Sequence, residues 1–416
     1  MHVNFMKIIF KNYDKIKLVI FILLAASFPY YLFINSSLII AAVLLTFTKL
    51  FFIKDSFQYR FNKLSLILFA YYIIETISLL YTQKGNLNIA FFNLEKHLTL
   101  VVMPFVFYDF HATKRNVEII QFIFVITSLI ASLVCIIVNM NISIEQHNTY
   151  FYDWQFSHLR LVEPIGMHPV YFSMYICFSL LIVMHYLKSN FHKISISMKI
   201  IFLLLIFYFL FVITMSGART LTVSIAAIII GSLVIYGAMN KSFKLFFYAG
   251  LLLTSIVVFV LINPIVKTRF MDMTKNKYET TNYGSYFART LLWVPGMEII
   301  QENILFGVGI GDAQKELDKK FIQYNYIEGI GMDMHNQYLQ ILLEVGVVGL
   351  FIYISMLCIQ LRNSIKQKNL LYLSFLVLFI IGSITESMFC RQNGIIYFLF
   401  FSFIFYKSNL NTDIVK

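Results

Sequence analysis

Apolar runs of about 20 residues, the length a helix needs to cross a bilayer, recur from one end of this chain to the other. They fall at 17–34, 36–53, 64–81, 97–110, 117–139, 168–187, 198–215, 220–238, 245–263, 336–361, 369–385 and 390–406. The pattern predicts an all-α, polytopic integral membrane protein of about twelve transmembrane helices. Composition leaves no soluble alternative: of 416 residues 59% are hydrophobic and only 13% charged, too few charges to cover the surface of a soluble fold. Cys135, Cys177, Cys358 and Cys390 all sit in or beside apolar runs, which excludes a disulfide scaffold and a cysteine zinc site.

The formal charge of +12 suggests nucleic acid until the basic residues are placed. With the N-terminus inside, the inner segments hold Lys7 to Lys17, Lys49 to Lys63, Lys114 and Arg115, Lys188 to Lys199, Lys241 and Lys244, Arg362 to Lys368, and Lys407 and Lys416. These are most of the Lys and Arg residues, and few acids accompany them. The charge is therefore an orientation signal with both termini cytoplasmic, and no nucleic-acid partner is expected. The first run follows four lysines and is interrupted by Ala25-Ala26-Ser27, as a secretory signal would be. The spans that follow at once favour an uncleaved helix.

Two outer segments exceed simple connectors, 140–167 and 264–335. The chain reads as one membrane domain over 1–416, with the outer-face loop 264–335 embedded between helices nine and ten. That loop has helix-like patches at 289–303 and 312–324, expected to lie along the membrane surface. Chemistry on the outer face has no ATP to draw on, so an enzyme there needs a pre-activated substrate.

His335 begins the strongest candidate site. It stands where the long loop enters the tenth span, in Met334-His335-Asn336-Gln337-Tyr338, with Gly346 and Gly349 further on. On a continuous helix Gly346 lies about 20° and Gly349 about 40° from His335 around the axis. One face would then present an imidazole above two positions that let another helix or a lipid chain approach. A helix N-terminus disfavours the imidazolium, which suits a general base, and Asp333 is placed to cap the helix or orient the ring. An interfacial histidine followed by packing glycines would give the same pattern.

Arginines on the outer side run against the positive-inside bias. Arg219 lies in the turn Ser216-Gly217-Ala218-Arg219, Arg289 opens an amphipathic patch in the loop, and Arg391 stands at the outer end of the last span. Guanidinium groups bind phosphate oxygens bidentately; snorkelling or ion pairing would also explain each singly. His168-Pro169 at the outer end of the sixth span is a second histidine position, suited to lining an acceptor site or simply to starting a helix. Glu75 and Glu344 lie within spans, where a carboxylate marks function by default. Glu344 is half a turn away from His335 and is expected to pair inside the bundle. The glycines of Gly307-Val308-Gly309-Ile310-Gly311 form no dinucleotide loop, because no strand–helix–strand unit surrounds them. They predict a tight re-entry turn, with Asp312 capping the next helix. No carboxylate cluster or paired histidines at helical spacing marks a metal site.

At this point the chain resembles a known family. His335-Asn336, nine residues, then Gly346-Val347-Val348-Gly349 fits the His-[Asn/Ser/Gln]-x9-Gly-x-x-[Gly/Thr/Tyr] signature of bacterial O-antigen ligases. The wider O-antigen ligase and polymerase superfamily is similar in its Ser216-to-Arg219 turn, in Arg289 with Trp293, in Leu305-Phe306-Gly307-Val308-Gly309, and in Thr385-Glu386-Ser387 with Arg391-Gln392. The likeness covers the twelve-span layout and is specific over about 200–400; the first 160 residues match only as hydrophobic helices. The resemblance implies a metal-independent, inverting glycosyltransferase of the GT-C type, without cofactor, in the bacterial inner membrane with its active site facing the periplasm. It implies a glycan donor on undecaprenyl diphosphate and, for a ligase, a sugar hydroxyl of lipid A–core as acceptor. His335 would deprotonate or orient that hydroxyl, Arg219 and Arg289 would clamp the diphosphate, and the Gly346 and Gly349 face would admit the polyprenyl chain. Asn336, His168 and Arg391 would support the site. A polymerase extending another lipid-linked glycan and a protein O-glycosyltransferase are the alternatives. A transporter is disfavoured, since paired broken half-helices are absent from the pattern.

Overall fold

The computed structural model describes residues 12–30, 32–52, 61–145, 158–239, 250, 254 and 285–410. Among them every regular element is helical. The α-helices are α1 (Tyr13–Ser27), α2 (Leu32–Phe52), α3 (Lys63–Ile77), α4 (Leu87–His97), α5 (Thr99–Val106), α6 (Lys114–Glu145), α7 (His158–Val162), α8 (Pro169–Asn190), α9 (Ile196–Ser216), α10 (Arg219–Met239), α11 (Ser285–Glu302), α12 (Ala313–Gln323), α13 (Gln337–Lys366), α14 (Leu370–Gly382) and α15 (Gln392–Leu410). Among the described residues seven stretches are long and apolar enough to cross a membrane: Phe33–Phe52, Lys63–Leu80, Lys84–Val106, Lys114–Glu145, Pro169–Asn190, Ile196–Ser216 and Gln337–Lys366. The chain is a multi-pass membrane protein whose regular elements, among the described residues, are all helical. The predicted ninth span, 245–263, lies outside the described residues apart from two positions.

Two boundaries differ from the hydropathy pattern for physical reasons. The first run, expected over 17–34, ends as a helix at Ser27, because Pro29 cannot donate to the helical ladder. The fourth, expected over 97–110, starts earlier, as α4 and α5 with a break at Leu98. Glu95-Lys96-His97 made its middle look too polar to cross a bilayer, whereas His97 is buried against Glu75 on α3.

The chain forms two compact units. The first comprises residues up to 127, 292–376 and from 386 onward. Its centre is α15, apolar on every side and buried from Ile395 through Phe405, as a helix without a polar face must be. Rings from α1, α5 and the segments after them close around it: Phe107 stacks on Phe403 at 5.3 Å and Phe28 meets Tyr397 edge-on at 5.7 Å. Lipid is as apolar as phenylalanine, so ring packing rather than water exclusion favours these contacts. α13 lies along α3. At the lysine-rich end, Lys17 is fully buried and donates to Asp109, to Tyr13 Oη at 3.0 Å and to Thr46 Oγ1 at 3.1 Å. Lys49 takes the other Asp109 oxygen at 2.8 Å.

The second unit comprises 128–291 and 377–385. Its helices α8 and α9 pack along their length. Ser173 Oγ donates to Ser216 Oγ at 2.7 Å, Tyr208 Oη to Ser132 Oγ at 3.0 Å, and Asn139 Nδ2 to the Leu161 carbonyl at 3.1 Å. These polar bonds tie helices together in an apolar medium.

Removing Asp109 strands the buried Lys17 ammonium. Asp109→Ala is expected to cost about 3–5 kcal/mol, and the double variant with Lys17→Met to regain most of it, read as thermal unfolding in detergent. Burial alone would push the Asp109 carboxyl up, but Lys17 and Lys49 outweigh it and hold it below its usual range. A depressed folded pKa gives stability that is present above the unfolded value and is lost as pH falls through the folded one. Wild type should therefore lose stability relative to the double variant as the pH falls into the acid range.

Candidate functional site

His335 does not lie on the helix it precedes. Its φ is +42°, a left-handed conformation uncommon outside glycine, and its N–H donates to Asp333 Oδ1 at 2.7 Å. Asn336 is the cap: its side chain accepts from Tyr338 N at 3.0 Å and Leu339 N at 3.1 Å. Asp333 therefore fixes the turn and Asn336 caps the helix. Met334, fully buried, is held on both sides of its backbone. Its N–H donates to Gln340 Oε1 at 3.0 Å, and its carbonyl accepts from Trp293 Nε1 at 2.9 Å.

The ring of His335 is 28% exposed and turns Nδ1 toward two carboxylates. Glu386 Oε2 lies at 3.4 Å and Asp333 Oδ1 at 3.8 Å, with Glu386 only 2% exposed. A carboxylate offers only acceptors, so a neutral ring facing them carries its hydrogen on Nδ1 and its lone pair on Nε2. This is the tautomer of a histidine base steadied by an acid. The expected control by the helix dipole thus gives way to direct control by Glu386, whose turn is pinned beside α13. Asn336 N–H donates to Ser387 Oγ at 3.2 Å, and Phe389 N–H donates to Gln337 Oε1 at 2.6 Å.

The expected continuous face from His335 to Gly349 is not present. Gly346 has φ +67° and ψ −164° and interrupts α13. The glycine-rich segment before α12 fills the break. Val308 N–H donates to Leu343 O and Gly309 N–H to Glu344 O, both at 2.9 Å, while Val347 N–H donates to Ile304 O at 2.9 Å and Val348 N–H to Leu305 O at 3.5 Å. A Cβ on Gly346 would overlap the Leu305 carbonyl, and one on Gly307 would come within 2.6 Å of Leu343 O. Gly349 is buried, with the Val345 side chain over it. Among the described residues the chain itself therefore packs against both positions. Asp312 stands at the start of α12 without capping it through its side chain. It accepts instead from Gln83 N at 2.9 Å and from Asn86 Nδ2. Glu344 accepts from Gln340 Nε2 at 2.7 Å, one turn earlier on α13.

Arg391 is exposed on the extended residue before α15, in the same unit as His335, Asn336, Gly346 and Gly349. The second unit carries His168, Arg219 and Arg289. Gly217, at φ +70°, ends α9 with its N–H on Thr214 O at 3.3 Å, and Arg219 opens α10 half-buried. His168 precedes Pro169 at the start of α8, whose first turn reaches the end of α9 through Ser173 and Ser216. The helix start bearing His168 and the turn bearing Arg219 are thereby joined. Arg289 is half-buried on α11. Among the described residues no three His, Cys, Asp or Glu groups converge as a metal site would require.

Sequence reasoning missed Gln337 and His97, and gave Glu386 no role toward the ring. Glu75 within a span was the signal for His97, because a carboxylate there requires a partner. Residues 200–354 match the family model described as O-antigen ligase. The matched segment includes Arg219, Arg289, His335, Asn336, Gly346 and Gly349 and leaves out His168 and Arg391. No curated protein matches the chain.

Gly346→Ala must both adopt a conformation reserved for glycine, at about 1–3 kcal/mol, and displace Leu305. It is expected to lower the thermal midpoint in detergent markedly. Gly231→Ala in α10, where a Cβ meets nothing within 4 Å, is the comparator and should be neutral or stabilising by up to about 1 kcal/mol.

Proposed function

Through residues 200–354 the chain belongs to the O-antigen ligase superfamily, and from that premise we propose that it is a metal-independent, inverting glycosyltransferase. In this reading it moves a glycan from undecaprenyl diphosphate to a sugar hydroxyl of lipid A–core, at the outer face of the bacterial inner membrane. The observation that carries the reading is the His335 ring, set at the mouth of α13 with Nδ1 against the buried Glu386.

The acceptor hydroxyl attacks the anomeric carbon while the bond from that carbon to the diphosphate oxygen breaks. Its proton passes to His335 Nε2, and the imidazolium that forms is stabilised by Glu386 and Asp333 through Nδ1–H. Undecaprenyl diphosphate leaves with the bonding electrons. We assign Arg219 and Arg289 to the diphosphate, where a planar, permanently charged fork meets phosphate oxygens and the charge that grows on them. The energy of transfer resides in the donor, as a face without ATP requires. Arg391 and His168 are assigned supporting roles at the substrates.

A polymerase would direct the same chemistry at another lipid-linked glycan, and a protein O-glycosyltransferase at Ser or Thr. Purified protein reconstituted with undecaprenyl-diphosphate glycan and lipid A–core, with chelator present, tests the three together. The expected product is glycan on lipid A–core. His335→Ala should lower the rate at least about 10²–10⁴-fold, the range for a general base, and Arg219→Lys should fail because lysine lacks the fork. Longer glycan still on undecaprenyl diphosphate would make the protein a polymerase. Undiminished transfer by His335→Ala would remove the histidine from the mechanism.

A further inference from the structure

A second histidine lies inside the first unit with both ring nitrogens occupied. His97 is 5% exposed at the end of α4, and its Nδ1 is 2.7 Å from Oε1 of the fully buried Glu75 on α3. Its Nε2 is 2.9 Å from the carbonyl of Phe389. A carbonyl only accepts, so Nε2 carries a hydrogen; Nδ1 and the carboxyl share the other. Phe389 is therefore fastened on both sides of its backbone, by His97 at the carbonyl and by Gln337 at the N–H. Two residues before it, Ser387 accepts from Asn336 N–H, and Glu386 faces His335. Its ring packs edge-on against Tyr353 of α13 at 5.4 Å and Tyr71 of α3 at 6.4 Å.

We propose that Glu75 and His97 are positioning residues for the His335 site: they set the 386–390 turn so that Glu386 meets the His335 ring. This rests on the glycosyltransferase reading for its effect on rate, but the link from His97 to the turn stands on geometry alone. Placing an ionisable pair inside a membrane span is costly, and hydrophobic residues would fill the same volume without that cost. What the pair provides that they cannot is a donor of fixed direction for the Phe389 carbonyl. A carbonyl left bare there would be unsatisfied in an apolar interior, and the turn would be free to shift. Displacing a reacting group by about 1 Å can lower a rate 10²-fold. Titratable groups around the pair include Glu344 on α13, Tyr71 and Tyr72 on α3, and Cys390 beside Phe389. The role proposed is geometric and needs no change of charge in any of them.

The test uses the full chain in detergent or proteoliposomes, comparing wild type with His97→Leu, His97→Gln, Glu75→Leu and Glu75→Gln. Hydrogen exchange is followed at 335–337 and 386–390 beside the transfer assay. His97→Leu and Glu75→Leu should speed exchange in both segments at least about 10-fold and lower kcat about 10²-fold, with donor KM changed less than about 2-fold. Glu75→Gln, whose amide still reaches Nδ1, should recover most of what Glu75→Leu loses. His97→Gln keeps a donor for the Phe389 carbonyl and covers the case in which the leucine variants do not fold. Unchanged exchange at 335–337 in a folded His97 variant would overturn the proposal, as would an unchanged kcat in an active enzyme. A loss in KM alone would overturn it too, since it would place the pair at substrate binding. If wild type transfers glycan to no acceptor, the glycosyltransferase reading fails, and the exchange data still decide whether His97 holds the turn.

Discussion

A helix that breaks inside a membrane must satisfy its freed backbone groups from protein, because hydrocarbon supplies no partners. That constraint shapes the centre of this structure. α13 is interrupted at Gly346, and the segment 304–309 answers the interruption with four backbone bonds running in both directions. Gly307 and Gly346 are needed because each strand of this exchange lies where the other's Cβ would be. The loop before α12 is thus bonded into the break of the helix that begins just after His335.

The same logic extends upward to His335. Trp293 and Gln340 hold Met334 from either side, Asp333 fixes the His335 peptide, and Asn336 closes the helix. The ring is oriented by Glu386 from a turn tied to Asn336 and Gln337. The proposed role as a base requires a defined tautomer and position; the 3.4 Å approach of Glu386 bears on the first, and the bonds at 333–336 on the second.

The legible part of the fold was the part that hydropathy encodes. Long apolar helices such as α6, α8 and α9 stand near their expected places, because any apolar stretch of that length is driven into lipid. Boundaries set by a single residue were less visible: Pro29 ends α1, and the charged triplet before Leu98 hid the first half of a span. His335, Asn336 and the glycines were identifiable from spacing, yet the spacing suggested a straight helix face. A positive φ at Gly346 requires a glycine, but so does close helix packing, and the sequence does not distinguish the two. The Glu75–His97 pair was illegible because its residues are 22 apart and meet only through the packing of α3 and α4. Half of the signal was present, since a lone carboxylate in a span calls for a partner.

In the proposed mechanism Glu386 holds His335 with its hydrogen on Nδ1, so that Nε2 takes the acceptor proton. The most direct measurement is kcat for glycan transfer by Glu386→Gln, in which an acceptor-only group becomes one able to donate to Nδ1. A fall of about 10²-fold or more, with donor KM little changed, is predicted from the known cost of the wrong tautomer in a histidine base. A kcat equal to wild type would contradict it, and with it the role of His335 as a base directed by this carboxylate.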